Sequence, residues 1–153
     1  MVSKGRWAYS FTEGKKAENK FSDLMIKRGN TCIKSSRSDD INNHIDFYVN
    51  DKGVDVKGNR HLETIWLELK NVRGDDGWLL GKAKYIVFDV VEMNSFCFFD
   101  RHELYLFVSN ITEIAESKKD YMKLYTREGR KDVIVKVRYD DIKHLNKQTI
   151  RYD

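Results

Sequence analysis

The sequence predicts an α+β fold (α/β in having one mixed β-sheet flanked by helices) over a single domain, residues 1–153. Three observations carry this. Apolar residues recur at helical spacing near the N-terminus, and short runs of alternating apolar and polar residues follow from residue 44 onward. The resulting order, a helix, several antiparallel strands, a helix and a strand, does not suit a doubly wound parallel sheet. The length matches one domain, and no internal repeat, low-complexity tract or linker interrupts it.

Thr12 is the expected cap of a first helix running to about Arg28, with Gly29 as its stop. Ala17, Phe21, Leu24 and Met25 share one face of it, and Glu18 borders that stripe. A short apolar segment around Cys32 and Ile33 leads into a polar stretch over 35–43. Residues 44–49 read as a strand, 50–53 as a turn favoured by Gly53, and 54–57 as the returning strand. A third strand is expected over 64–71, and further strands over 85–91, 96–99 and 105–108. A second helix is expected over 109–123, with Ile111, Ile114 and Ala115 inward, and a last strand over 132–137. Lys118, Lys119 and residues 143–147 read as exposed helix faces.

Composition narrows the function classes. With no proline in 153 residues, polyproline recognition segments and Pro-rich linkers are excluded. At 41% apolar residues the chain has enough material for a core, and its net charge of +4 permits a polyanionic partner without requiring one. Cys32 and Cys97 show neither ligand nor redox spacing, and Cys97 lies in an apolar run that favours a reduced, buried thiol. Neither a signal-peptide core nor a run of membrane-spanning length is present. The expectation is a soluble, cytoplasmic protein with no membrane partner.

The 44–57 hairpin carries the chemistry. Side chains alternate faces along a strand, so Asp46 and Tyr48 share one side, as do Asp55 and Lys57. With residues 50–53 as the turn, Val49 pairs with Val54, Tyr48 opposes Asp55 and Asp46 opposes Lys57. Two carboxylates and an amine then project together, while Ile45, Phe47, Val54 and Val56 form the opposite, apolar face. Carboxylates this close repel unless a cation lies between them, and Mg²⁺ favours one or two carboxylates with water and phosphate oxygens. Such an ion neutralises charge on a phosphodiester and activates water, and a lysine beside it stabilises developing negative charge.

These residues resemble the motifs of the PD-(D/E)xK nuclease superfamily: a helical Glu, then an Asp, then Asp or Glu-x-Lys on the hairpin partner. The matching residues are Glu18, Asp46 and Asp55-Val56-Lys57. The segments Trp66-Leu67-Glu68-Leu69-Lys70-Asn71-Val72 and Gly77-Trp78-Leu79 are similar to small phage-type members. The resemblance covers the first two-thirds of the chain. It implies a restriction-endonuclease-like core, found also in Holliday-junction resolvases, and a Mg²⁺-dependent endonuclease hydrolysing phosphodiester bonds in DNA, with Mn²⁺ able to substitute. Asp46, Asp55 and Glu18 would hold metal, and Lys57 would position the attacking water. The proline of the motif is replaced by Ile45, which leaves the carboxylate chemistry intact. The gap from Asp46 to Asp55 is short and demands a tight hairpin. A homodimer is compatible with this reading, although no dedicated dimerisation segment stands out.

A second register uses Asp55 as the first aspartate, with Glu68 and Lys70 completing the site; the first register is preferred, with Glu68 as an auxiliary ligand. Taken alone, Asp55-x-Lys57 is more often a solvated face with cross-strand ion pairs, and it is the added Asp46 and Glu18 that favour a site. A catalytically inactive nucleic-acid-binding module with the same fold is the alternative, and a structural protein a third. Arg73, Lys82 and Lys84 around a glycine-bearing loop, and Arg127 and Arg130 in a basic turn, are the candidate phosphate contacts. Trp78 is expected in the core. His44 shares the face of Asp46 and reads as a surface histidine; His61, His102 and His144 are too scattered for zinc. No nucleophile elbow or Walker loop is present.

Overall fold

The computed structural model describes residues 4–153, with side chains from Glu13 onward. Helix α1 spans Lys4–Lys27, so it starts earlier than expected and Thr12 lies inside it; the side chain that was to cap it is outside the described residues. Its end is as expected. Gly29 takes φ 87°, its N–H donates to Ile26 and the Asn30 N–H donates to Met25, which closes the last turn.

Nine strands follow: β1 (Cys32–Lys34), β2 (Phe47–Val49), β3 (Lys52–Arg60), β4 (Ile65–Lys70), β5 (Tyr85–Val90), β6 (Ser95–Asp100), β7 (Leu124–Tyr125), β8 (Val133–Val137) and β9 (Asn146–Arg151). Six form a mixed sheet in the order β1-β2-β3-β5-β6-β9, in which β3 and β5 are parallel and the other neighbours antiparallel. The remaining three form a small antiparallel sheet, β4-β8-β7. The chain leaves β3, contributes β4 to the small sheet and returns as β5 beside β3. That excursion carries β4 away from the large sheet and brings it back as a second layer.

The core has two halves, one on each side of the large sheet. Phe21 and Met25 of α1 pack on Phe47, Val54, Val56, Val87, Phe96 and Ile150. On the other side Ile86, Phe88, Cys97 and Phe99 pack against Ile65, Leu67, Val135 and Val137 of the small sheet and against Leu104 and Val108. The result is a single α+β domain of three layers. Cys32 and Cys97 are both free thiols, and Cys97 is fully buried as its apolar neighbours require. Among the described residues, no helix is long and apolar enough to cross a membrane.

Four segments differ from expectation. Residues 105–108 are helical, within α3 (Arg101–Ser109), and the expected helix over 109–123 is absent. The Asp100 carboxylate accepts the Glu103 N–H at 3.0 Å and so starts a helix that buries Leu104 and Val108, one turn apart. Downstream, the Asp120 carboxylate accepts the N–H groups of Glu116 and Ser117, holding a turn, and Ile114 is exposed. The polar stretch over 35–43 contains helix α2 (Arg37–Asn43), capped by Ser36, whose side chain accepts the Asp39 N–H. Residues 143–147 are not an exposed helix face. Helix α4 (Tyr139–Ile142) passes through a 3-10 turn into β9, whose Ile150 enters the core.

Candidate functional site

The hairpin is tighter than the sequence reading. Asn50 and Asp51 take φ of 48° and 70°, forming a two-residue turn whose twist matches that of the strands. Phe47 therefore pairs with Val54 and Val49 with Lys52. Continued one step, this register sets Asp46 across from Asp55 instead of Lys57. The Asp46 N–H donates to Val54 at 2.8 Å, and its own carboxylate accepts the Val56 N–H at 2.8 Å. The slip is two residues, an even number, so every side chain keeps its face. Ile45 alone departs: it lies before the strand and packs in the other half of the core, with Leu67 and Trp78.

Asp55 is 3% exposed although it is charged in type. Lys57 Nζ lies 3.2 Å from Asp55 Oδ1, whereas Asp55 Oδ2 is buried with no hydrogen-bond partner. Burial first, and then the negative charge of Asp55, push the Asp46 carboxyl up to about 8; the Val56 N–H works against this, and Glu18 adds to it. Asp46 and Asp55 thus stand opposed across the hairpin, and one buried Asp55 oxygen has no donor.

Glu18 reaches this region from α1 because the helix lies almost on the strand: a Cβ on Gly58 would stand 2.5 Å from Ala17 Cβ. Its carboxylate holds Lys34 Nζ at 2.9 Å. Burial works to lower the Lys34 pKa, but the Glu18 hydrogen bond and charge, with Asp46 and Asp40, raise it overall. Lys34 is thus a cation of the site that sequence reasoning missed, since β1 is too short to show an alternation.

Arg60 was missed for a different reason. Strict alternation sets residue 60 opposite residue 57, but β3 carries one extra residue against β5 between Lys57 and Arg60, with Asn59 at φ 53°. Asp55, Lys57 and Arg60 consequently pair with Ile86, Phe88 and Val90, all on one side of the sheet. The Arg60 Nε is buried without a partner, and burial lowers its pKa while Asp55 and Glu68 oppose that.

Glu68 stands near Lys57 on β4. Burial raises its pKa, and the Lys57 charge and the Trp78 N–H counter the rise. Gly77 is pressed against it: a Cβ there would lie 2.6 Å from Glu68 Cγ and 2.8 Å from Oε1. Trp78 is 6% exposed, the core position expected, and its ring lies 5.1 Å from Lys57 Nζ. Lys70, the partner of Glu68 in the second register, is exposed and follows a one-residue irregularity in β4. His44, at φ 55°, ends α2 half-buried, against Gly81.

The candidate phosphate contacts fall into two groups. The loops carrying Arg73 and Arg130 touch one another, with the Lys131 N–H on the Val72 carbonyl and Gly74 against Lys131. Arg127, in the same turn as Arg130, is held 2.6 Å from the fully buried Asp132. Lys82 and Lys84 lie beside the hairpin, through Lys82 N–H to Asn43 and Lys84 N–H to Gly53, and Lys84 Nζ pairs with Asp100 at 2.6 Å.

Among the described residues, no group of three or more His, Cys, Asp or Glu side chains is gathered into a metal cage. A cage is not what Mg²⁺ requires, since it takes one or two carboxylates and completes its shell with water and phosphate. The Asp46–Asp55 pair, with its orphaned Oδ2, fits that demand. Compared with known proteins, the chain matches no family model, no curated protein and no solved structure.

Proposed function

We propose that this protein is a Mg²⁺-dependent endonuclease that hydrolyses phosphodiester bonds in DNA. The observation that carries the reading is the constellation on one hairpin: Asp46 across from Asp55, Lys57 Nζ 3.2 Å from Asp55, and a buried Asp55 oxygen with nothing to bind it. Asp46 and Asp55 would hold the ion, with Glu18 and Glu68 as nearby auxiliaries; the ion, when bound, supplies charge neutralisation at the phosphate. Lys57 orients the attacking water with its ammonium and offsets negative charge as the phosphorus becomes five-coordinate. Lys34 and Arg60 keep the acidic cluster tolerable between turnovers, by charge in the first case and by a guanidinium facing Asp55 and Glu68 in the second. The exposed Arg73, Arg130 and Lys82 suit contact with the DNA backbone.

The test is cleavage of supercoiled plasmid and labelled oligonucleotides with Mg²⁺ or Mn²⁺, by the intact protein and by Asp55→Asn and Lys57→Ala. Metal-dependent nicking lost in both variants supports the reading. Salt-sensitive DNA binding with no cleavage by the intact protein would make it a binding module, and neither cleavage nor binding would remove nucleic acid from its function.

A further inference from the structure

The small sheet has a second face. Ile65, Leu67, Val135 and Val137 point into the core, so Trp66, Glu68 and Tyr125 leave from the opposite side, where they line a cleft of about 500 Å³ together with Arg60, Trp78 and Arg127. Trp66 and Tyr125 form one aromatic wall, their rings 5.9 Å apart and tilted by 36°. The polar components are built in. Asp132, fully buried, fixes the Arg127 guanidinium at the rim, while the buried Nε of Arg60 has no partner. Lys118 stands exposed at the same mouth. Through Trp78, whose ring lies 5.1 Å from Lys57 Nζ, the cleft adjoins the proposed catalytic hairpin.

We propose that this cleft receives an unpaired nucleotide of the substrate, its base on the Trp66–Tyr125 wall and its phosphates at Arg127 and Lys118. Flat aromatic faces beside cations are what single-stranded nucleic acid uses, because stacking reads the face of a base and is indifferent to its edge. In uninterrupted duplex those faces are covered by neighbouring pairs. A pocket of this size, within the range that holds a small ligand, engages a base only where the strand is already open. The inference rests on the nuclease reading and narrows its substrate to DNA with a single-stranded part: an overhang, a flap or a branch.

The test is binding in EDTA, where no metal-dependent cleavage interferes, followed by intrinsic tryptophan fluorescence. Ten-nucleotide oligo-dT quenches the emission of the intact protein. Tyr125→Ala and Lys118→Ala each weaken that binding, the former about tenfold, while Tyr125→Phe retains it and so separates loss of the ring from loss of fold. Affinity for a blunt duplex of the same length is equal in the intact protein, Tyr125→Ala and Tyr125→Phe. Oligo-dT that fails to quench, or Tyr125→Ala binding it as tightly as the intact protein, overturns the cleft proposal. Plasmid nicking without an oligo-dT effect would sink this inference and leave the nuclease reading standing; oligo-dT binding lost in Tyr125→Ala, with no cleavage of any DNA, would leave the cleft as a single-strand binding site and overturn both the nuclease reading and the substrate drawn from it.

Discussion

Lys57 neutralises one oxygen of Asp55 at 3.2 Å, and the other oxygen of the same carboxylate is buried with no donor in reach. The lysine is therefore both a candidate catalytic group and the sole counter-ion to Asp55 among the described ion pairs. Removing it exposes both roles. Lys57→Ala is expected to abolish metal-dependent cleavage while leaving DNA affinity within a few-fold, and to cost about 1–3 kcal/mol of stability by stranding a buried charge. Lys70→Ala, at an exposed position, is expected to keep activity and stability. Plasmid nicking and urea denaturation of the two variants check this; activity lost only in Lys70→Ala would transfer the site to Glu68 and Lys70.

The Asp46–Asp55 pair makes metal-free stability depend on pH. The Asp46 carboxyl is pushed up to about 8, by burial first and Asp55 second, from an ordinary value of 3.8. An acid whose pKa is raised by folding favours the fold while protonated. Its contribution is complete below about pH 4, declines as pH rises, and is gone above pH 8. In EDTA the melting temperature should therefore fall between pH 5 and pH 8 in the intact protein by more than in Asp46→Asn. That variant removes the repulsion and is expected to stabilise the metal-free fold at pH 8 by roughly 1–3 kcal/mol. Added Mg²⁺ should raise the melting temperature of the intact protein, more at pH 8 than at pH 5, and leave Asp46→Asn unmoved. Equal pH slopes in the two proteins would refute the account.

Gly77 tests whether Glu68 belongs to the same site. A Cβ at this position meets Glu68 at 2.6–2.8 Å, including the Glu68 backbone oxygen at 2.7 Å, which cannot swing aside. Gly77→Ala is expected to destabilise the fold by about 1–3 kcal/mol and to lower cleavage further than the stability loss accounts for at a temperature where the variant is fully folded. Activity equal to that of the intact protein under those conditions would remove Glu68 from the site.

The strands of the core were legible because both sides of the large sheet are buried, so runs such as Phe96 to Phe99 stand out whatever their partners. The chemistry-bearing side of the hairpin was legible for a narrower reason. Side-chain period is two, and the error in turn length displaced the pairing by two, so Asp46, Asp55 and Lys57 kept a common face. What escaped were features set by a single residue of irregularity. The extra residue before Arg60 reverses its face, and no propensity announces it beyond Asn59, which tolerates positive φ. Tyr105 to Val108 form a short apolar run that periodicity alone assigns to neither strand nor helix; the deciding event is the Asp100 cap, whose carboxylate accepts the N–H of Glu103 three residues on. The C-terminal strand has a single apolar residue, Ile150, next to its end, and its register comes from β6.

The last prediction concerns how α1 is brought to the hairpin. Helix and sheet approach closely at Ala17 and Gly58, and a methyl group on Gly58 would stand 2.5 Å from that of Ala17, well inside contact distance. Gly58 is needed here for space, since its backbone is not in the left-handed region. Gly58→Ala must push the helix outward, and Glu18, the next residue after Ala17, moves with it away from Lys34 and Asp46. The expected cost is about 1–3 kcal/mol. Ala17→Gly in the same chain removes the opposing methyl and restores the approach, at a helix penalty of about 1 kcal/mol. A double-mutant cycle should therefore show the two substitutions strongly non-additive, with the pair more stable than Gly58→Ala alone despite the added helical glycine. Additive losses in thermal or urea denaturation would mean that helix and strand are not held together at this point. If Glu18 contributes to the site, Mg²⁺-dependent cleavage should fall in Gly58→Ala and recover in the double variant in step with the restored contact.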